Sequence, residues 1–376
     1  MTLCFVSDYY PTLPHFGGIA VYTQRIARAL TARGHRVHVV VARAAEHADK
    51  MEEGVHVHYR RARWLPLAGR WLPGLGESLC IAGFLAALHR RHRFDAVEIP
   101  NWEGMGLASA WAPGLRVAIR LHTSLAESIE MAGRQPARAE RFTIWMERTS
   151  ARRARAVVTH STSHRDRMAA SYGRQDIEVI PHGVTIPGQP APPAGRSILA
   201  IGRMNPRKGM ETLFKAIPKV LAQWPDASFR VVGPDENHPQ VQALRAQLAG
   251  PGRVEFPGMV SPQGLEQFYD ESALYVSPAI YESFGLTFAE AMAHGRPVVG
   301  CNASAVPEIV RDGVDGILVP PGDAEALAAA MVTLISDEPL RRRMGASARQ
   351  RAVENYSIET AAGRSESFFQ SMLERG

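Results

Sequence analysis

The chain has 376 residues, 43 Lys+Arg against 37 Asp+Glu, 45% hydrophobic residues and three cysteines, the profile of a globular chain long enough for two domains. Cys4, Cys80 and Cys301 are too few and too scattered for a disulfide framework or a four-cysteine zinc site, which suits a reducing compartment. Residues 1–185 carry 25 basic and 16 acidic side chains and residues 186–376 carry 18 and 21, so the basic surplus belongs to the first half.

The opening Met1-Thr2-Leu3-Cys4-Phe5-Val6 reads as a strand, not a signal peptide, and the longest apolar stretch, Ile81 to Leu88, is far too short for a membrane span; the expectation is a cytoplasmic protein. Short β-branched runs then alternate with stretches of helical period, the pattern of parallel strands buried under helices on both faces. In the first half the strands are Leu3 to Val6, Val37 to Ala42, Val55 to Tyr59, Ala96 to Ile99, Val117 to Leu121, Ala156 to Thr159 and Ile177 to Ile180. A helix between the first two clusters Ile19, Val21, Ile26, Ala27 and Leu30 on one face and ends near Gly34. Residues 187–195 hold four prolines, which neither continue a helix nor join a central strand, so 187–196 reads as a linker. Beyond it the strands are Ile198 to Ile201, Phe229 to Val232, Val254 to Phe256, Leu274 to Val276, Pro297 to Gly300 and Gly316 to Val319. The fold class is therefore α/β, two doubly wound Rossmann-like domains, 1–186 and 197–355, with ligands expected outside the carboxyl ends of the strands in an interdomain cleft.

Several site chemistries are missing. The turn after Val6 lacks Gly-x-Gly-x-x-Gly, so a nicotinamide cofactor is not expected, and Lys208 precedes the second glycine of Gly202 to Gly209, which fails as an ATPase-type phosphate loop. No two aspartates sit two residues apart and no His/Cys spacing suggests zinc, so no metal and no cofactor is expected.

Other segments can carry chemistry. Gly17 and Gly18 stand where a helix begins, so bare backbone amides can face an anion; a plain tight turn would use the same residues. Gly202-Arg203 to Lys208-Gly209 leaves a strand's carboxyl end with three cations, suited to a phosphate or simply solvated. Glu282 precedes a helix and Glu290 lies two turns on, roughly 80° away on a 3.6-residue wheel, so both can face the cleft, with the amides from Ser283 through Phe284 and Gly285 to Leu286 at the helix start. His122 follows the strand Val117 to Leu121; a lone histidine there is more often structural than catalytic.

Taken in order, these segments resemble the family-4 glycosyltransferases, retaining enzymes of the GT-B fold that use nucleotide-sugar donors. The resemblance covers nearly the whole chain and rests on Gly17-Gly18, Arg33-Gly34-His35, His122, Pro181-His182-Gly183, Gly202-Arg203 with Lys208-Gly209, Glu282 and Glu290 framing Ser-Phe-Gly-Leu-Thr-Phe-Ala, Pro307-Glu308 and Pro321-Gly322-Asp323. It implies that Glu290 binds the ribose, Glu282 the donor sugar's hydroxyls, and the backbone at Gly285 and Leu286 the sugar or phosphate. It also implies that Arg203 and Lys208 hold the diphosphate, Gly17 and Gly18 close over it, His122 sits near the anomeric carbon, and the loop of Met259 meets the base. One departure stands out: many members have two glycines before the Pro-Glu pair, where this chain has Ser304-Ala305-Val306. The last helix, 356–376, would cross back onto the first domain as in relatives.

The implied function is retaining, metal-independent transfer of a hexosyl group from a nucleotide-diphosphate sugar to a glycan, glycolipid or small glycosylated acceptor, in cell-surface polysaccharide biosynthesis. A UDP-sugar is the expected donor and GDP-mannose the alternative. A nucleotide-sugar epimerase of the same architecture and a binding module without turnover are competing classes. Arg60, Arg61 and Arg63 leading into Trp64, Leu65, Leu67 and Trp71, and a second set from Arg134 to Arg155, are candidates for contact with an anionic membrane that presents the acceptor. The chain-wide bias of 39 arginines against four lysines gives them a plainer explanation, and no nucleic-acid reader motif is present.

Overall fold

The computed structural model describes residues 1–10, 18–62, 72, 74–190, 192–234, 237–247 and 253–375. The chain forms two compact units, Met1–Gly183 with Ile358–Gly376, and Val184–Ser357. The proline-rich stretch expected to be a linker is thus part of the second unit.

The first unit runs β1 (Thr2–Ser7), α1 (Gly18–Ala32), β2 (Arg36–Val41), β3 (Arg43–Glu52), β4 (Val55–Arg61), α2 (Leu75–His92), β5 (Ala96–Pro100), β6 (Val117–Arg120), α3 (Leu125–Met131), α4 (Arg138–Arg153), β7 (Ala156–Thr159), α5 (Thr162–Tyr172) and β8 (Ile177–Val179). The sheet order is β3-β4-β2-β1-β5-β6-β7-β8. Period-2 alternation sends Leu3 and Phe5 to a core with Ile26 and Leu30 of α1, and Cys4 and Val6 to an opposite core with Ile81, Leu85 and Leu88 of α2. Both faces are covered, which is why these strands read as unbroken apolar runs.

The antiparallel strand of this sheet, β3, has no counterpart among the strands expected from sequence. Its Arg-Ala-Ala-Glu-His-Ala-Asp-Lys-Met-Glu composition has low strand propensity and is mostly exposed, so no apolar run marks it. What holds it is a two-residue hairpin: Glu53 and Gly54 both take positive φ, 48° and 80°, the turn whose twist matches the flanking strands.

The second unit runs β9 (Ser197–Ile201), α6 (Met210–Gln223), β10 (Ser228–Val232), α7 (Pro239–Gln247), β11 (Val254–Gly258), α8 (Pro262–Glu271), β12 (Leu274–Ser277), α9 (Leu286–Ala293), β13 (Val298–Cys301), α10 (Val306–Ile309), β14 (Gly316–Val319), α11 (Ala324–Ser336) and α12 (Glu338–Tyr356). Its strands are all parallel in the order β11-β10-β9-β12-β13-β14. That is the doubly wound order, whose switch point falls between β9 and β12. Ile198 and Ala200 face α6 and α11, while Leu199 faces α9 and α12.

The last helix, α13 (Ile358–Glu374), belongs to the first unit. Phe369 meets Phe5 edge-on at 6.0 Å and Glu366 accepts from Arg33 at 2.6 and 2.8 Å. Among the described residues no helix is long and apolar enough to cross a membrane.

Candidate functional site

In the second unit the two strands at the switch point each end in a candidate loop. After β9, the Asn205 side chain accepts the Lys208 amide at 3.0 Å and caps a 3-10 turn, Pro206–Lys208. Gly209 follows at φ 61°, where a β-carbon would lie 2.1 Å from the Pro278 carbonyl, so only glycine lets this loop touch the one after β12. The Ile280 amide, donating to the Arg207 carbonyl at 2.9 Å, ties the two loops together.

This junction brings Lys208 to Glu282. The ammonium donates to Glu282 Oε1 at 2.5 Å, with the side chains only 17% and 10% exposed. Arg203 is exposed and makes no ion pair among the described residues. Glu282 is fixed through its backbone as well, since its amide donates to Ser304 Oγ at 2.8 Å and its carbonyl accepts from Ala305 at 3.2 Å. Ser304 sits at φ 50°, a conformation glycine adopts more easily. The departure at 304 therefore replaces a permissive backbone by a hydroxyl that orients Glu282.

Gly285, at φ 101°, opens α9, and a β-carbon there would crowd Phe288 and Ile309 at 3.0 and 3.2 Å. Along α9, Glu290 is half-buried and accepts from Tyr269 Oη at 3.1 Å. The Tyr275 phenol, bonded to Thr287 Oγ1 at 2.7 Å, is pushed up by burial, with the Glu282 and Glu290 carboxylates adding to the shift. Both glutamates thus lie within electrostatic reach of one phenol. Ser283 and Leu286 are half-buried, and the Phe284 ring packs into the core against Tyr356, so what Phe284 offers a ligand is backbone. Met259 is 65% exposed just after β11, and Ser261 beside it caps α8.

In the first unit, Gly18 is the exposed first residue of α1, while Gly17 lies outside the described residues. The backbone at His122 is clamped by Asn101, whose side chain accepts the His122 amide at 2.8 Å and donates to its carbonyl at 3.1 Å. Below it runs a buried polar set: Arg120 donates to Glu98 at 2.8 Å, Tyr22 donates to the same oxygen at 2.8 Å, and the guanidinium stacks 4.4 Å from the Tyr22 ring. Glu98, Arg120, Tyr22 and His122 line one small recess with Phe5 and Val6 of β1 and Ile19 of α1.

His122 is not a lone histidine. Its ring centroid lies 5.8 Å from His160 and 5.7 Å from His182, and His160 stacks on His164 at 4.9 Å. Burial, with Arg120 and His164 adding, lowers His122 to about 3, and burial drives His160 and His182 well down too, so this end of the sheet presents neutral imidazoles. Nearby, Glu147 accepts amides from Glu103 and Leu125, both at 3.2 Å, and burial raises it to about 8. Among the residues that support the candidates, Asn205 carries a local signal, the Asn-Pro cap. Asn101, Glu98, Tyr269 and Ser304 become neighbours of the candidate residues only through tertiary structure.

The arginine-rich segments are largely engaged inside their own unit. Arg134 pairs with Glu140, Arg152 and Arg155 bond the Tyr172 and Met372 carbonyls, and Arg153 stacks on Trp111. Arg63, Trp64, Leu65, Leu67 and Trp71 lie outside the described residues.

A model described as Glycosyltransferase Family 4 matches residues 16–186, and one described as Glycosyl transferases group 1 matches residues 195–337. Phosphatidyl-myo-inositol mannosyltransferase of Mycobacterium leprae is 30% identical over 92% of this chain and 91% of that protein. The MMP alpha-(1->4)-mannosyltransferase of Mycolicibacterium hassiacum is 26% identical over 97% of each. Among solved structures, sucrose-phosphate synthase from Thermosynechococcus elongatus superposes with TM-score 0.83 at 20% identity over 100% of both chains. HepE from Anabaena, in complex with UDP and glucose, superposes with TM-score 0.76 at 20% identity over 99% of this chain and 100% of that one. With the identity to the Mycobacterium leprae enzyme spanning both units, and the fold shared with GT-B glycosyltransferases, the chain belongs to the family-4 glycosyltransferases.

Proposed function

We propose that this glycosyltransferase moves a mannosyl group from a guanosine-diphosphate sugar to a hydroxyl of a glycan or lipid-linked acceptor. The Lys208–Glu282 pair at the switch point supports the transfer from a diphosphate sugar, because it sets a cation and a carboxylate side by side where a doubly wound sheet takes its ligand. Mannose is favoured over the UDP-sugar first expected because the Mycobacterium leprae and Mycolicibacterium hassiacum relatives, each spanning more than nine-tenths of this chain, are mannosyltransferases by name. Peripheral contact with an anionic membrane is part of the proposal, resting on the basic surplus of the first unit, although the arginine pairings described above reduce the free charge available for it.

On this proposal Lys208 and exposed Arg203 neutralise the diphosphate, each charge worth about 4 kcal/mol at 4 Å with an effective dielectric near 20. Glu282 holds the sugar's hydroxyls, Glu290 the ribose, and the amides from Ser283 to Leu286 the phosphate or sugar. The acceptor attacks on the face the leaving group departs from: the anomeric carbon–phosphate oxygen bond breaks, the new glycosidic bond forms with retention, and the acceptor's proton passes to the leaving phosphate oxygen. Neutral His122 near the anomeric region adds no positive charge to repel the oxocarbenium-like sugar. The protein's own cations do the charge neutralisation, so no metal is required.

The test is a thermal-shift panel of guanosine, uridine, adenosine and thymidine diphosphate sugars, each with and without chelator, followed by product analysis by NMR. A chelator-insensitive shift with GDP-mannose and an α-linked product are expected. A shift only with another base, a chelator-dependent one, or conversion of the donor sugar without nucleotide release would each refute a stated part of the proposal.

A further inference from the structure

A second set of histidines lies away from the candidate site. In the register of β2 and β4, His38 sits opposite His56, and the two-residue period places His58 on the same face. The last residue of α2, His92, is delivered onto that face. The His38 and His92 ring centroids are 4.5 Å apart, and one ring nitrogen from each of His38, His58 and His92 lies within 4.8 Å of the other two. His92 ends its helix before β5 begins, so the set belongs to the edge of the sheet opposite the strand ends that carry His122.

The hydrogen bonds determine the tautomers. His58 Nδ1 donates to the Asp49 carboxylate at 2.8 Å, which leaves its Nε2 to accept from His38 Nδ1 at 2.9 Å. His38 Nε2 then carries a lone pair that is buried and has no hydrogen-bond partner among the described residues. A buried acceptor without a donor is costly and points to a missing partner.

We propose that His38, His58 and His92 bind a divalent transition-metal ion of the zinc class, at a structural site distinct from the donor and acceptor residues. Each imidazole binds through one ring-nitrogen lone pair, and the ion enters by opening the His38–His58 hydrogen bond, which frees His58 Nε2. All-imidazole ligation suits zinc, cobalt, nickel or copper and disfavours magnesium or calcium. Tetrahedral bonds of 2.0–2.1 Å need ligand nitrogens about 3.3 Å apart, a closure within the reach of His92, which is half-buried at a helix end. Asp49 behind His58 supplies the carboxylate–histidine arrangement that orients a metal-bound imidazole.

The experiment is titration of the untagged full chain with Co2+, read by visible absorption and by competition with Zn2+. One equivalent giving ligand-field bands, displaced by Zn2+, is expected. His92→Gln, at a helix end where folding should survive, should weaken that equivalent at least about a hundredfold, and Asp49→Asn, on an exposed side chain, about tenfold. Absence of binding would overturn the proposal. So would undiminished binding by His92→Gln, or loss of the equivalent in His160→Gln alone, which would place the ion at the other histidine set.

Discussion

The two strand-end poles differ in kind. In the second unit, exposed Arg203, half-buried Lys208 and buried Glu282 lie on loops that glycine and asparagine lock together, with half-buried Glu290 on the helix α9 that follows. In the first, His122, His160 and His182 are buried and neutral above a buried Arg120–Glu98 pair. On the proposed function, the cations of the second unit, exposed Arg203 and half-buried Lys208, capture the diphosphate. The buried imidazoles of the first add no charge of their own. The same doubly wound topology thus supports two electrostatic designs, because the strand-end residues, not the sheet, set the field.

Several perturbations put that contrast at risk. The largest is Arg120→Met, which strands the Glu98 carboxylate in a buried site and should destabilise the first unit by about 3–5 kcal/mol, seen as an early calorimetric transition; an unchanged transition would mean that water reaches the pair. Next, Lys208→Ala and Glu282→Ala should each lower kcat/KM by about 10²–10³, with smaller losses in nucleotide affinity. Because the two side chains act as a bonded pair, the double variant should be little worse than either single one; fully additive losses would show that they work independently.

The neutral histidines predict a pH effect confined to the first unit. His122 falls from 6.5 to about 3 on folding, so the unfolded chain binds more protons below 6.5 and stability falls as pH drops from there toward 3. Each such histidine contributes up to about 1.4 kcal/mol per pH unit. Glu147, raised from 4.5 to about 8, works in the opposite sense: its contribution is full below 4.5, falls as pH rises from there and is gone above about 8, so it offsets the gain of one histidine. Urea melts from pH 4 to 7 should therefore show rising stability; a flat profile would place protons on the folded histidines. Smaller still, Tyr269→Phe removes one donor to Glu290 and should raise the donor KM severalfold, about 1 kcal/mol, with kcat unchanged. Ser304→Gly should relax the backbone yet free the Glu282 amide, lowering kcat severalfold with stability within about 1 kcal/mol of the parent.

Much of this molecule is legible in its residues alone. Buried parallel strands announce themselves as apolar runs, the glycine and proline signals punctuate them, and cations or glutamates just past a strand end mark where a doubly wound sheet binds. The chain also carries Asn205 ahead of Pro206, a local cap that needs nothing distant. What stays hidden in sequence is non-local. The exposed β3 has no apolar signature and exists because its hairpin and its partner hold it. Ser304 reaches Glu282, Tyr269 reaches Glu290, Asn101 reaches His122, and His38 reaches His58 only because elements 20 to 22 residues apart in the chain fold side by side. Periodicity and backbone permission are written residue by residue; the partner of a buried polar group is chosen by packing and register, which exist only once the chain has folded.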